Sequence, residues 1–378
     1  MLIASLSVAF VAYCARLSYG MLLPSMMQDL GLNHAQAGLI YSSYAAAYMM
    51  ASPIVGFLVD VRDLRRVVLA FLPLMAAGTA LMAVASSLWT AIVFFGIAGA
   101  GASVGWTPLV TWVQRAYAER RGTYLGALSV STTLGIGVMG LAMPWILPVT
   151  GWRGIWGILG LASAACIPIV WSAKDFTRPP NAIPFRRYAK EFARVLREGA
   201  FWLSGGSYMA ATFAVITPLT FSADYAKYLG AGTTWEGWIF AVIGFTSIAG
   251  LAIPALSDRR GRKRSLALND ALRAAGLAGS ALAGSIRSLA AWTAVIAVSY
   301  GGVWALYAAL VRDMFGGGLA GGTMGAWVVM GSLGFLLSPL VSGFLIDATG
   351  SYVAPYLLSA AMALASILLA FAASGSTN

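Results

Sequence analysis

Charge, sulfur and imidazole are all scarce in this chain of 378 residues. Charged side chains make up 10%, only 13 of them acidic, and there are two cysteines and one histidine. A single histidine, His34, leaves no basis for a histidine-rich metal centre, and no Ser/His/Asp set or pair of catalytic acids is visible. We therefore expect no metal, no cofactor and no enzymatic activity. His34 reads as a solvated loop residue. Cys14 and Cys166 are isolated, without CxxC or metal-ligand spacing, so they read as small hydrophobes in packing. The run "GAGASVG" (99–105) has no strand before it, which sets aside a nucleotide loop in favour of close helix packing.

Apolar residues, by contrast, reach 60%. That is more than a soluble core of this size can use, so the chain reads as an all-α integral membrane protein. Segments of roughly 20 apolar residues, enough to cross about 30 Å of hydrocarbon, recur near 2–24, 37–59, 67–86, 88–113, 122–148, 152–173, 200–222, 235–257, 266–284, 289–311, 321–345 and 352–373. Twelve spans follow. The formal net charge of +11 reflects topology rather than nucleic-acid binding, because 19 of the 24 Lys and Arg fall in alternate loops. The positive-inside bias then puts both termini in the cytoplasm of a cell (inner) membrane. A cleaved signal peptide is the rival reading of the first segment, but that segment lacks a basic start and carries Arg16 within its apolar run.

The sequence also repeats itself. "GFLVDVRDLRR" (56–66) overlays "PALSDRRGRKR" (254–264) with a shift of 198, pairing Asp60 with Asp258 and Arg66 with Arg264. Gly122, Gly126, Gly135 and Gly151 overlay Gly321, Gly325, Gly334 and Gly350 with a shift of 199. The expectation is two pseudo-symmetric six-helix bundles, 1–173 and 200–378, around a central cavity and joined by a basic, amphipathic cytoplasmic linker at 174–199.

Those paired acid-plus-arginine turns resemble the signature loop of the major facilitator superfamily. The resemblance covers the whole chain and implies alternating access, with Asp60, Arg65, Arg66, Asp258, Arg259 and Arg262 as gating residues that clamp helix ends in one state. It also implies that spans 1, 2, 4, 5, 7, 8, 10 and 11 face the cavity. An arginine near the bilayer midplane costs at least about 2.5–3.5 kcal/mol, so Arg16 in span 1 should face that cavity and act there. Tyr13 and Tyr19 lie three residues on either side of it, which is expected to put both phenol hydroxyls on its helical face as substrate contacts, and Tyr41, Tyr44 and Tyr48 form a stripe on span 2. For Tyr41 and Tyr44 ordinary helix packing stays open.

The stretch from "AYCARLSYG" (12–20) to Asp60 resembles the anion:cation symporter branch, which pairs Tyr-x-x-Arg in span 1 with a tyrosine in span 2. Tyr13, Arg16 and Tyr48 match those positions, and the resemblance implies that they hold a substrate carboxylate. "TWVQRAYAERRG", "GWRGIWGILG" and "GFLIDATGSYVAPYLL" resemble segments shared with monocarboxylate and oxalate/formate carriers. Two of the branch's acids are replaced here by Ala15 and Ala102, and "GFTSIAGLAIP" lacks the charged pair of the monocarboxylate pattern.

By the repeat, Ala214 or Val215 stands opposite Arg16, so the cavity is positive on one side, which suits a monoanion. Further cavity candidates are Trp106, Ser131, Thr132, Thr133, Tyr208, Thr212, Trp304, Tyr307 and Trp327. Asp270 and Arg273 form an i, i+3 pair in span 9, either a plain salt bridge or a proton-coupling site. The reading is a monomeric secondary active or facilitative transporter of a small organic monocarboxylate, with protons or a counter-anion as coupling partner. Efflux of amphipathic compounds and exchange of dicarboxylates are the alternatives.

Overall fold

The computed structural model describes residues 1–117, 121–173, 193–315 and 320–375. The expected linker at 174–199 thus lies largely outside the described residues. The first helices are α1 (Leu2–Leu30), α2 (His34–Val61), α3 (Leu64–Leu81), α4 (Leu88–Ala102), α5 (Thr107–Ala116) and α6 (Arg121–Ser172). They are followed by α7 (Gly199–Tyr228), α8 (Thr233–Gly250), α9 (Ala252–Arg260), α10 (Arg262–Ala281), α11 (Ile286–Phe315), α12 (Ala320–Thr349) and α13 (Val353–Gly375). Helix is the form in which each apolar segment satisfies its own backbone away from water.

Nine stretches of the described residues are long and apolar enough to cross a membrane, and one of them, Tyr124–Ser172, runs 49 residues. At 1.5 Å per residue it is about 70 Å long, enough for two crossings. It turns at Gly151, whose φ of 65° and ψ of 174° break the helix. Gly350, 199 residues further on, holds a φ of 64° in the turn after α12. Only glycine adopts such a φ without strain, so the sequence repeat is written in the backbone as well. Helices α7 and α10 fall below the apolar criterion because of polar residues such as Ser207, Thr217, Asn269 and Asp270, yet those residues are buried. With them, the described residues make twelve crossings.

The turns are specified locally. Gly31 closes α1 in the left-handed conformation, its N–H bonding the Met27 carbonyl. Asn33 caps α2 through Gln36, each side chain taking the other's backbone N–H, at 2.8 and 3.0 Å. The α1–α2, α3–α4, α7–α8 and α12–α13 turns share one face, here called distal; the start of α1 and the Arg-bearing turns at 62–63 and 261 lie on the other, the basic face.

Residues before 174 and after 192 form an N-terminal and a C-terminal half, and the two press together toward the distal face through α1 on α7, α2 on α12 and α6 on α8. Gly38 and Gly244 show how tightly. A Cβ added at Gly38 would stand 2.2 Å from the Pro339 carbonyl oxygen, and one at Gly244 would stand 2.1 Å from the Gly137 nitrogen. Backbones approach this closely only where side chains are absent.

Candidate substrate site

Arg16 lies near the middle of α1 and is half-buried. Its Nε donates to the Tyr41 hydroxyl at 3.1 Å. The guanidinium carbon stands 4.3 Å from the centre of the Phe335 ring on α12 and 5.9 Å from that of Tyr44. These are neutral partners, and among the described residues no carboxylate pairs with Arg16. Tyr13 and Tyr300 lie within electrostatic reach of it, as do Tyr48 and Tyr208. A cation ringed by phenols has hydrogen-bond donors around it and no counter-ion.

The aromatic wall continues outward from this point. Tyr13 meets Trp106 edge-on at 6.3 Å, and Trp106 occupies the break between α4 and α5. Trp304 touches Phe335 at 5.7 Å, Tyr208 at 6.0 Å and Tyr300 at 6.3 Å. Tyr13, Tyr48, Trp106 and Trp304 are half-buried. Residues from α1, α2, α7, α11 and α12 therefore converge on one guanidinium from both halves.

Several other candidates are placed elsewhere. Tyr19 is fully buried, donates to the Ala37 carbonyl at 2.6 Å and stacks on Phe95, turned away from Arg16. Three residues forward and three back on a helix are each 60° off, in opposite senses, so Tyr13 and Tyr19 diverge. Tyr307 is buried with its hydroxyl 2.7 Å from Ser207 Oγ, and Trp327 is buried with its Nε1 donating to Phe201. Thr132, Thr133 and Thr212 return their hydroxyls to their own helices, and Ser131 reaches the Leu6 carbonyl of α1. These side chains serve packing in this conformation.

The second intramembrane pair is an ion-paired network in which Arg273 Nη2 and Asn269 Oδ1 are left without a hydrogen-bond partner among the described residues. Arg273 Nη1 lies 3.0 Å from Asp270 Oδ1, Nε donates to Ser299 and Nη1 also to the Ala211 carbonyl. Asn269 and Ser366 donate to the Asp270 carboxylate. All of these side chains are fully buried.

Of the expected gating residues, Asp60 and Asp258 have side chains outside the described residues. Arg65 donates to the Trp171 and Ala173 carbonyls at the end of α6, at 3.2 and 3.3 Å. Arg262 reaches Ser257 and Asp313, the latter at 3.1 Å. Arg66 is exposed after the Asp63 cap of α3, and Arg259 lines a cleft of about 500 Å³ with Arg264 and Ser265. Arg65 thus covers the carbonyl end of α6 within the N-terminal half, while Arg262 bonds a hydroxyl and a carboxylate of the C-terminal half.

Two neighbours of Arg16, Tyr300 and Phe335, were not foreseen from the sequence. Their spans were expected at the cavity, but those helices are apolar all round and give no face. The two cysteines are buried and free, Cys14 Sγ donating to the Gly135 carbonyl. His34 departs from expectation: it is the first residue of α2, with both ring nitrogens engaged.

Twelve crossings in two halves, meeting around a guanidinium whose partners among the described residues are neutral, have the form of a polytopic membrane transporter. The family model described as Major Facilitator Superfamily matches residues 5–301 and 237–376, and the chain belongs to that superfamily. Monocarboxylate transporter 12-B of Danio rerio is 23% identical over 337 residues, covering 79% of this chain and 70% of that protein. Monocarboxylate transporter 11 of Homo sapiens is 26% identical over 383 residues, covering 96% and 79%. The crystal structure of the nucleoside transporter NupG superposes over the full length of both chains with a TM-score of 0.78 at 15% identity, a likeness of fold.

Proposed function

We propose that the chain carries a small organic monocarboxylate across a membrane by alternating access, with Arg16 as the carboxylate anchor. The observation that carries this reading is a half-buried mid-membrane guanidinium whose partners are a phenol and aromatic rings. Such a cation is costly unless an anion joins it, and a carboxylate can take two parallel hydrogen bonds from its fork. The likeness to monocarboxylate transporters supports the same class. A single positive charge, with no second cation beside it among the described residues, suits a monoanion.

In this reading Tyr13 and Tyr48 orient the carboxylate, while Tyr44, Trp106, Tyr208, Tyr300, Trp304 and Phe335 enclose the remainder. The bundles are 1–173 and 200–378, joined by 174–199, and the positive-inside bias sets the basic face in the cytoplasm of an inner membrane. The protein works as a monomer. With Ala15 and Ala102 in place of acids, coupling falls to exchange against another anion or to the Asp270 network. Isothermal titration of purified protein with a panel of carboxylates tests the anchor. Arg16→Ala should lose measurable binding while keeping the wild-type size-exclusion profile, and Arg16→Lys should bind at least about 30-fold more weakly because the planar fork is gone. Unchanged affinity in a monodisperse Arg16→Ala protein would sink the assignment.

A further inference from the structure

His34, the chain's one histidine, stands at the distal face between two acids of the other half. Its Nδ1 is 2.6 Å from Asp347 Oδ1 at the end of α12, and its Nε2 is 2.9 Å from Asp224 Oδ2 near the end of α7. A neutral imidazole has one N–H and one lone pair, so it can bond one of these oxygens and must set its lone pair against the other. The doubly protonated ring donates to both. The rest of the cluster fixes the carboxylates as acceptors. Asp347 also receives the backbone N–H groups of His34 and Ala35, at 3.1 and 2.8 Å, which form the positive end of the α2 dipole. Asp224 receives the phenol of Tyr352, whose oxygen lies 3.4 Å from His34 Nε2.

The wider surroundings agree with this assignment. Burial, and then the charge of Asp224, holds the Tyr352 phenol above its ordinary range, so it remains a donor. On α7, Phe221 approaches the imidazole at 6.5 Å, and Tyr225 and Tyr228 pack on Tyr352. Glu236 of α8 lies within electrostatic reach of both Lys227 and Asp224, and Tyr356 of α13 lies within reach of Tyr352. The acids facing the ring from the C-terminal half are thus Asp224 and Asp347, with Glu236 behind Asp224.

We infer that His34, Asp224 and Asp347 form a proton-binding site, reached from the water on the distal face, that latches the two halves shut on that side. His34 is 26% exposed, so water reaches the ring, while its acids belong to the other half. Opening the distal face must part them. The closed state therefore holds the proton more tightly than the open one, and by linkage acid favours closure while alkali favours opening. The proton is not cargo: it enters and leaves on the side that the latch closes. The site regulates which face is open and stands apart from any coupling through the membrane. It is also independent of the monocarboxylate reading.

The test follows the distal opening directly. Spin labels on Ser86→Cys and Thr234→Cys, exposed in the distal turns of the two halves, are placed in full-length protein carrying Cys14→Ala and Cys166→Ala. Distance distributions are measured by double electron–electron resonance in nanodiscs from pH 5 to pH 8, without substrate. The ratio of short to long distances should fall by several-fold, approaching about tenfold for a tenfold difference in proton affinity between the states. His34→Gln should abolish the pH response, and Asp347→Asn should reduce it. Distances that do not move with pH in the protein with native His34, or a full response surviving in His34→Gln, overturn the inference. Where His34→Gln is not monodisperse, Asp347→Asn decides, and an undiminished response there overturns it equally.

Discussion

Two arginines sit inside membrane-crossing helices, and their surroundings differ in each respect that decides what a guanidinium does. Arg273 is fully buried, ion-paired with Asp270 at 3.0 Å and bonded to Ser299 and a carbonyl. Arg16 is half-buried and meets only neutral groups among the described residues, the Tyr41 hydroxyl and the rings of Tyr44 and Phe335. A charge cancelled within the fold belongs to the architecture. One left uncancelled beside a cavity is available to a ligand. Each lies near the middle of its helix, Leu2–Leu30 for Arg16 and Arg262–Ala281 for Arg273, so the partner, not the place along the helix, separates the roles.

The sharpest way to break this contrast is to remove the partner. Asp270→Ala should cost about 3–5 kcal/mol of stability, because it strands a buried cation whose other bonds were built around the pair. Thermal unfolding of the purified protein reads this, with Arg16→Ala beside it as the contrasting variant. Arg16→Ala should unfold close to wild type, since it deletes an uncompensated charge. Equal losses in the two would erase the distinction.

A smaller effect is expected from Asp270→Asn. The amide oxygen still accepts one hydrogen bond but the charge is gone, so about 1–3 kcal/mol should be lost. Transport supplies the discriminating measurement. If the network is architectural, uptake into proteoliposomes driven by a proton gradient, normalised to folded protein, should match wild type. Loss of gradient-driven uptake with carboxylate binding intact would make Asp270 a coupling site and put the second arginine in the working machinery.

Much of this arrangement was legible beforehand. Most of the twelve crossings follow from apolar length, α7 and α10 being the more polar exceptions, and Gly151 with Gly350 marks the repeat because positive φ demands glycine. Arg16 stood out because a cation in an apolar run is costly. Which aromatic side chains join it was not legible: in helices apolar on every side no stripe distinguishes cavity from core, which is how Tyr19, Tyr307 and Trp327 came to be grouped with residues they do not join, while Phe335 and Tyr300 were missed. His34 was misjudged for a related reason. Its partners Asp224 and Asp347 lie 190 and 313 residues away, and no local pattern announces a contact between halves.

The smallest expected effect concerns Phe335, the ring that covers Arg16 from the C-terminal half. It is 9% exposed and lies against Trp304, so its position is set by packing rather than by the cation. A ring over one face of a guanidinium contributes about 0.5–1 kcal/mol where water has access, and it leaves the N–H edge free for a carboxylate. Phe335→Leu keeps the apolar volume and removes the π face. Carboxylate affinity should therefore weaken only about two- to fivefold, far less than in Arg16→Lys, where the edge itself is altered. Calorimetry on both variants with the same carboxylate makes the comparison. A hundredfold loss in Phe335→Leu would mean that the face of the guanidinium, not its edge, meets the substrate. Tighter binding would mean that the ring occupies space the substrate must claim, and the uncompensated arginine would then be partly compensated by its own fold.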